Sequence, residues 1–429
     1  MSKSAALSAS PNQVLAFRLG SHHLDARLPS GPSAAAALLD AAGASGLQNT
    51  PPGSAALALH ARVAGLAPQD VYSALEDEKT LLQAWSLRAA PYVFPTRDAA
   101  LFTLGILPDS ETSIRHFITG VEPALERIDI SAVDVLDLTA SAVVEVLDGR
   151  RLTKDELGIE LASRVLPRLT ARQQVPWQSP SLYAATQSLG ESVVRFMLPI
   201  TALRGLCCHA QRRANQALIA RTDQWLGSDH LIGTDRQIVT PPVLSREQAG
   251  SELARRYLRC YGPSSLQHFA EWVAGPVRSS GSLSSQSARA WRQLEPDLLP
   301  VDFAGRECWI HSADLERFLT PQPSNSARLL PPHDPYLQLR DRDTLVPEKS
   351  LQRRLWKTSG NPGVVLVDGQ LVAAWRPEKK GRRLALSIEV FRQVSAEARR
   401  QIEQEAQSLA PFRDVETVEV RWQDPRGNL

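Results

Sequence analysis

Capped amphipathic helices that lead into a tight turn recur along this chain, and this recurrence limits the folds that it can adopt. Thr153 stands at a helix start with Glu156 three residues later, the pattern of a capping box. Ser245 and Gln248 repeat that box, and a Gly-Pro turn within 261–273 then begins a second short helix. In both places apolar residues follow at helical spacing. Helix, tight turn and helix together predict a helix-turn-helix.

Each helical unit is followed by a sequence typical of a β-hairpin. The predicted hairpins lie at 87–95, at 205–226 around a basic turn, and at 298–315 with a turn at Ala304-Gly305. Helices followed by a hairpin wing, three times over, predict tandem winged helices. The alternative is an unrelated all-α protein with incidental hairpins.

The tail, 327–429, has a different pattern. Strand-like runs over 363–391 turn at Asp368-Gly369 and at the basic sequence EKKGRR, before one helix and a closing strand. Linker-like stretches at 276–288 and 320–326 precede this tail. The tail is therefore predicted to form a β-rich domain that carries a basic hairpin.

The predicted fold class is α+β, with three tandem winged-helix domains and a C-terminal β-rich domain. A chain of 429 residues suits two to four domains. The predicted boundaries are 1–115, 116–235, 236–320 and 321–429.

Composition is ordinary for a soluble globular protein, with 43% hydrophobic and 22% charged residues. No apolar run reaches the ~18 residues that cross a bilayer, and the N-terminus lacks an apolar signal-peptide core. We therefore expect a cytoplasmic protein without membrane contact. The net charge is only +2, so the distribution of charge decides whether nucleic acid binds. Arg outnumbers Lys, which favours bidentate contacts to phosphate or base edges, although a GC-rich genome produces the same bias.

Cysteine and glycine patterns exclude several kinds of site. The four cysteines lack the CxxC spacing of a zinc ribbon. Cys207, Cys208 and His209 are adjacent and so point to opposite sides, which favours buried small hydrophobes over a metal cluster. The sequence has neither a phosphate-binding Gly-Lys loop nor a metal-coordinating acidic cluster, which argues against a helicase-like enzyme or a nuclease.

The stretch GLQNTPPGSAALALHARV at 46–63 places three polar side chains, Gln48, Asn49 and Thr50, ahead of Pro51-Pro52. The prolines restrict φ and so fix how the polar residues project. A rigid corner ahead of an apolar helix suits a preorganised polar site. The alternative is that Asn49 and Thr50 cap the helix, with proline in its first turn.

Six stretches together resemble one known family. In chain order they are AFRLGSHHLDARLP, GLQNTPPGSAALALHARV, LTKDELGIELASRV, ELARRYLRCYGPSSLQHFAEW, ARLLPPHDPYLQLRDRDTLVP and VVLVDGQLVAAWRP. They span almost the whole chain and are similar to the winged-helix DNA glycosylases of the AlkZ type, which remove bulky alkylpurines and unhook interstrand crosslinks. Several members of that family lie beside biosynthetic pathways for DNA-alkylating antibiotics, as self-resistance enzymes.

The resemblance implies three tandem winged helices in a C-shape around duplex DNA, with a small C-terminal β domain. It implies a monofunctional glycosylase that acts on duplex DNA with alkylated guanine, without metal or cofactor. We expect the protein to be a monomer. The family's catalytic motif is Gln-x-Gln, with Gln-x-Asp in a sister branch, and its positions fall on Gln48 and Thr50. Gln48 matches and Thr50 departs, and Asn49 is a candidate to supply the missing amide.

The chemistry of the implied substrate suits an amide. Guanine alkylated at N7 carries a positive charge and leaves as a neutral base, so it needs no general acid. What remains is to hold a water against the sugar C1′ and to stabilise the sugar cation. The Gln48 carboxamide has an acceptor oxygen and two N–H donors, which makes Gln48 the principal catalytic candidate. The hydroxyl of Thr50 could hold the same water with shorter reach.

Candidate DNA contacts are cations near the motif and on the predicted hairpin tips. They are Arg62, Arg88, Arg212, Arg213, Lys379, Lys380, Arg382 and Arg383. The alternatives are solvated or core-bridging arginines for the first two and charged solvent loops for the others.

Two histidine-containing stretches add weaker candidates. In PPHDPY, at 331–336, His333 and Asp334 are candidates because a carboxylate could stabilise the sugar cation, and the alternative is a structural Asx turn. His22-His23 is interpreted as packing or phosphate contact and not as a metal site.

Two functions follow from these patterns. The first is a DNA glycosylase for bulky N7-alkylguanines, in self-resistance to a DNA-alkylating natural product. The second is a non-catalytic DNA-binding protein or regulator built on the same winged helices. Release of free base that depends on Gln48 would separate the two.

Overall fold

The computed structural model describes residues 7–29, 31, 34–213, 216–227, 231–232, 238–239, 244–275 and 285–423. Both helices and strands occur in these ranges, in agreement with the predicted α+β class. Within them, no helix has the length and apolar character needed to cross a membrane.

The α-helices vary from single turns to four turns. In chain order they are Pro11–Ser21 (α1), Ala34–Gly43 (α2), Ser54–His60 (α3), Pro68–Glu76 (α4), Ala99–Phe102 (α5), Glu111–Phe117 (α6), Glu122–Ile128 (α7), Ala132–Val146 (α8), Lys154–Val165 (α9), Ala171–Gln178 (α10), Leu189–Leu203 (α11), Thr222–Leu226 (α12), Arg246–Tyr261 (α13), Leu266–Ala274 (α14), Ser285–Leu294 (α15), Leu315–Leu319 (α16), Arg342–Leu345 (α17), Lys349–Leu355 (α18) and Ala396–Ser408 (α19).

The strands are short except near the C-terminus. In chain order they are Leu7–Ala9 (β1), Leu47–Gln48 (β2), Leu81–Trp85 (β3), Pro91–Pro95 (β4), Leu152–Thr153 (β5), Cys207–Arg213 (β6), Gln216–Arg221 (β7), Leu231–Ile232 (β8), Ile238–Val239 (β9), Leu298–Phe303 (β10), Arg306–His311 (β11), Ala327–Leu330 (β12), Gly363–Val367 (β13), Gln370–Lys380 (β14), Arg383–Val390 (β15) and Thr417–Gln423 (β16).

Both predicted capping boxes form. The Thr153 hydroxyl accepts from the Glu156 amide at 3.2 Å, and the Glu156 carboxylate accepts from the Thr153 amide at 2.8 Å. The Ser245 hydroxyl and the Gln248 side chain satisfy each other's backbone amides in the same way, at 3.2 and 2.8 Å. These bonds satisfy amides that a helix start leaves without a helical partner, and they begin α9 and α13 where the sequence predicts.

The chain divides into two units that are not continuous in sequence. One unit comprises residues 1–73, 254–269 and 294–429, and the other comprises 74–253 and 270–293. The division into four domains and the three-winged-helix arrangement stay predictions.

In the first unit, β1 pairs in parallel with β10, which pairs antiparallel with β11. The turn between β10 and β11 lies at Ala304 and Gly305, both at positive φ, which confirms the hairpin predicted at 298–315. Side chains from α1 and α16, including Phe17 and Phe318, pack on this sheet.

The first unit also contains a sheet in the order β12-β13-β14-β15-β16. The β13–β14 turn lies at Asp368 and Gly369, as predicted, and both residues have positive φ. Helix α19 connects β15 to β16, which run parallel. The core of this sheet includes Leu57 from α3, so the helix that follows the proline corner is fixed against the C-terminal sheet.

In the second unit, strands lie in the order β4-β3-β6-β7-β5. The hairpin predicted at 205–226 is confirmed as β6 and β7, with its last residues forming α12. The hairpin predicted at 87–95 is corrected: its first strand is Leu81–Trp85, because Arg88 and Ala89 adopt positive φ in a connecting turn. Cys207, Cys208 and His209 are buried, as interpreted from the sequence.

The linker predicted at 276–288 lies partly outside the described residues, and its last four positions instead begin α15. Residues 320–326 form a connection without helix or strand, as predicted.

Candidate functional site

The proline corner lies between β2 and α3. The Thr50–Pro51 peptide is cis, and Gly53 precedes α3 at φ 90°, a left-handed conformation that glycine adopts without strain. The Asn49 side-chain oxygen accepts from the amides of Gly53 and Ala55, at 2.8 and 3.3 Å. Asn49 therefore satisfies amides at the start of α3, which agrees with the capping alternative for this residue.

Gln48 contacts a residue that the sequence analysis did not select. Its Oε1 accepts a hydrogen bond from Gln338 Nε2 at 3.0 Å, and the same Nε2 donates to the backbone oxygen of His333 at 2.9 Å. Gln48 and Gln338 are both half-buried. They are 290 residues apart, so no local pattern could have joined them.

Helix α3 is held from its far end as well. His60 Nε2 lies 2.8 Å from the Ser408 hydroxyl, and its backbone oxygen accepts from Arg27 at 3.1 Å. Arg27 in turn forms a bidentate ion pair with Glu405, at 2.9 and 2.6 Å. The corner and the helix behind it are thus fixed to α19 and its sheet.

Arg62 is buried, with 1% of its surface exposed. Its two terminal nitrogens donate to the two carboxylate oxygens of Asp334, at 2.8 and 2.7 Å, and one also donates to the Ala58 oxygen at 2.8 Å. A guanidinium in this position cannot reach a phosphate without leaving its partner. The prediction of an Arg62 phosphate contact is therefore replaced by its core-bridging alternative.

His333 and Asp334 lie in a turn that the Asp334 amide closes by donating to the Pro331 oxygen at 3.1 Å. Asp334 Oδ1 also accepts from the Tyr336 amide at 3.0 Å, which is the Asx turn weighed from the sequence. Both carboxylate oxygens of Asp334 accept hydrogen bonds, and only 1% of the residue is exposed. Asp334 therefore has a structural role and does not lie at a surface where DNA could bind. His333 stays half-buried, at φ 60°.

Of the two N-terminal histidines, His22 is buried and His23 is half-buried. The His22 ring makes edge contacts with Tyr261 and Tyr336, at centroid distances of 5.1 and 5.6 Å. Burial, aided by the charge of Arg62, holds the pKa of His22 well below its usual value. These contacts fit the packing interpretation. Among the described residues, no three His, Cys, Asp or Glu side chains are grouped so that they could hold a metal ion.

The hairpin between β14 and β15 presents the cations predicted to contact DNA. All four are exposed: Lys379, Lys380, Arg382 and Arg383. Three lie near carboxylates, in the pairs Lys379–Asp414 at 3.8 Å, Lys380–Glu378 at 2.8 Å and Arg382–Glu416 at 2.8 Å. Exposed ion pairs contribute at most about 1 kcal/mol, so these cations can exchange a carboxylate for a phosphate.

The predicted contacts in the second unit differ in exposure. Arg212 and Arg213 are exposed at the end of β6, where Arg213 pairs with Glu156 at 2.7 Å. Arg88 instead donates to the backbone oxygen of Trp272 and to the Tyr92 hydroxyl within this unit. That arrangement agrees with the bridging alternative for Arg88.

Comparison with known proteins gives consistent results. Residues 41–412 match the profile of a family described as DNA glycosylase AlkZ-like. The chain is 24% identical over 303 residues to an interstrand DNA cross-link repair glycosylase of Streptomyces sahachiroi, covering 69% of this chain and 70% of that protein. The solved structure of the Streptomyces sahachiroi DNA glycosylase AlkZ matches with a TM-score of 0.70 at 21% identity, covering 97% of this chain and 100% of that one.

Proposed function

Because the chain belongs to the AlkZ-like family of DNA glycosylases, we propose that it hydrolyses the N-glycosidic bond of guanines that carry bulky alkyl groups at N7. Its relative is named for the repair of interstrand DNA crosslinks, and we include unhooking of such crosslinks in the proposal. Membership of this family makes the protein a DNA glycosylase. The adduct that it removes and the residues that act on this adduct are proposed here.

The reaction is one displacement at the sugar. The N9–C1′ bond breaks and its electron pair stays with the base, which cancels the positive charge that N7 alkylation created. Water adds to C1′ and loses one proton to solvent. The base needs no proton to leave, so the protein has to place the water and stabilise positive charge on the sugar.

Gln48 carries this proposal. It is half-buried at the corner, and its carboxamide is held by a second amide at 3.0 Å. An oriented amide offers a carbonyl dipole to the sugar cation and N–H groups to a water or a phosphate oxygen. A carboxamide can neither protonate an uncharged purine nor deprotonate water, so this site suits purines that already carry a positive charge.

Thr50 stands where the family motif has Gln or Asp, and its half-buried hydroxyl is the second group proposed to contact the water. Asn49 is the weaker candidate, because its oxygen already accepts from two amides at the start of α3.

Exposed cations are proposed to contact DNA. The candidates are Lys379, Lys380, Arg382 and Arg383 in the first unit and Arg212 and Arg213 in the second, all of them exposed. Contacts of this kind to phosphates set position and affinity without reading sequence.

The test is release of free base from a duplex with one defined N7-alkylguanine, followed by mass spectrometry under single turnover. The wild-type protein is compared with Gln48→Ala and with Gln404→Ala, which removes an exposed amide on α19. We expect base release by wild type and the control, and a loss of about a hundredfold or more with Gln48→Ala. Equal rates for all three would remove Gln48 from the mechanism.

Crosslinks and self-resistance need their own assays. Unhooking is measured as separation of the two strands of a crosslinked duplex on a denaturing gel. Self-resistance is measured as survival of a sensitive host that expresses wild type or Gln48→Ala in the presence of a DNA-alkylating natural product. We expect strand separation and survival with wild type alone.

A further inference from the structure

We propose that Gln338 is a positioning residue for the reaction, acting through Gln48 by fixing the orientation of its carboxamide. This inference rests on the proposed function, because it assigns Gln338 a role in the step that Gln48 serves. Nothing in the local sequence around Gln338 marks it as part of a site, and the assignment comes from its contacts alone.

The backbone carbonyl of His333 determines which atom of the Gln338 and Gln48 amides is the oxygen and which is the nitrogen. The oxygen of His333 can only accept, so the Gln338 atom 2.9 Å away from it must be the nitrogen, Nε2. That nitrogen can only donate, so the Gln48 atom 3.0 Å from it must be the oxygen, Oε1. The orientation of the Gln48 amide is therefore set by a chain of two hydrogen bonds that begins at the backbone.

The segment that carries Gln338 is itself fixed. Asp334, paired with Arg62, accepts from the Tyr336 amide and starts a short 3-10 helix, Pro335–Gln338. The backbone oxygens of Pro335 and Leu337 accept from Tyr261 and Trp356, both at 2.8 Å. Because these contacts hold the backbone of the turn in place, the side chain of Gln338 at its end can orient a neighbouring side chain.

The proposed role of Gln338 is to limit rotation of the Gln48 carboxamide about the last bond of its side chain. A glutamine carboxamide can turn by 180° and exchange its oxygen for its nitrogen with little change in shape. At a site that must place a water and a dipole, the two orientations present opposite charges to the substrate. Gln338 makes one orientation the favoured state, because turning Gln48 would bring two N–H groups against each other.

A purely structural role is the competing explanation, because Gln338 also closes its own turn through His333. The two roles differ in what happens when Gln48 is absent. A positioning residue has nothing to position in a Gln48→Ala background, whereas disruption of the turn would slow the reaction in both backgrounds.

The experiment is a double-mutant cycle with Gln338→Met, which keeps length and removes the donor. Single-turnover base release from a 7-methylguanine duplex is measured for wild type, both single variants and the double variant, together with DNA affinity and thermal unfolding. The positive charge weakens the glycosidic bond of 7-methylguanine, so release without protein is measured in parallel and subtracted. We expect Gln338→Met to slow release by about ten- to a hundredfold with DNA affinity unchanged, and to change nothing in the Gln48→Ala background.

The same slowing in both backgrounds, or no slowing in either, would overturn the positioning role. A Gln48→Ala variant as fast as wild type would remove Gln48 from the mechanism and the positioning role with it. Absence of base release by wild type would instead overturn the proposed function, so the failures are distinct. If Gln338→Met unfolds, Gln338→Glu takes its place, since a carboxylate keeps the shape and cannot donate. It turns the Gln48 amide around, and we expect a decrease in rate at least as large.

Discussion

Arg62 and Asp334 join two segments that lie 272 residues apart in sequence, through two parallel hydrogen bonds of 2.8 and 2.7 Å. Their side chains are 2% and 0% exposed. One segment follows the proline corner and helix α3, and the other leads to Gln338. The pair therefore holds together the two halves of the candidate site without taking part in it.

Breaking this pair should destabilise the first unit. Asp334→Asn keeps the oxygen that accepts from Tyr336 and removes the charge, which leaves the Arg62 guanidinium buried without a counter-ion. We expect the free energy of unfolding in urea to fall by about 3–5 kcal/mol, and the double variant Arg62→Met/Asp334→Asn to be destabilised by less than the sum of the singles. Glu160→Gln, in an exposed pair with Arg150, should change it by about 1 kcal/mol or less.

A second prediction separates capping from catalysis at Asn49. Asn49→Ala removes the oxygen that accepts from Gly53 and Ala55, so we expect the free energy of unfolding to fall by about 0.5–2 kcal/mol. Asn49→Asp keeps an acceptor at the same place and should retain both stability and the rate of base release. A stable Asn49→Asp variant that released base at a tenth of the wild-type rate or less would show that Asn49 takes part in the reaction.

A third prediction concerns the basic hairpin tip. Replacing Lys380, Arg382 or Arg383 with Ala should weaken binding to duplexes of any sequence. Each substitution should also make the slope of log affinity against log salt less negative, by about 0.9 for each phosphate that the protein no longer neutralises. Arg400→Ala serves as the control, since Arg400 is exposed on α19 and pairs with Glu397. Unchanged salt slopes for all tip variants would show that the tip does not touch DNA.

A fourth prediction concerns acid. Burial lowers the pKa of both His60 and His209 from 6.5 to about 4. Above pH 6.5 neither state binds these protons, whereas between pH 6.5 and 4 the unfolded chain binds them and the folded protein does not. Stability should therefore fall with decreasing pH in this window, by about 1.4 kcal/mol per pH unit for each histidine.

His209→Phe tests this prediction, because Phe can replace the ring that packs on Trp85 at a centroid distance of 4.3 Å. Unfolding in urea at several pH values should show a shallower slope below pH 6.5 for the variant than for wild type. Identical slopes would mean that His209 titrates alike in the folded and unfolded states.

Sequence and structure agree where the signals are local. The capping boxes at Thr153 and Ser245 and the turn at Ala304-Gly305 depend on residues a few positions apart, and all three form as predicted. The hairpin near 87–95 was misplaced because Arg88 takes a positive φ that no glycine marks.

The long-range contacts could not be predicted in this way. Gln48 was selected through the proline corner and the family motif together, but its partner lies 290 residues away. Arg62 looked like a phosphate contact because its sequence context does not show that Asp334 neutralises it. Burial and pairing of this kind depend on how distant segments pack, which periodicity and spacing do not encode.

The pairing of Gln48 with Gln338 also bears on synthesis. A ribosome that adds about 5–20 residues per second needs about 15–60 s to go from the first glutamine to the second. Throughout that interval the growing chain contains Gln48 but not the glutamine that is proposed to orient it. A transcript cut short before codon 338 would yield a fragment unable to form this pair, whatever DNA it could still hold.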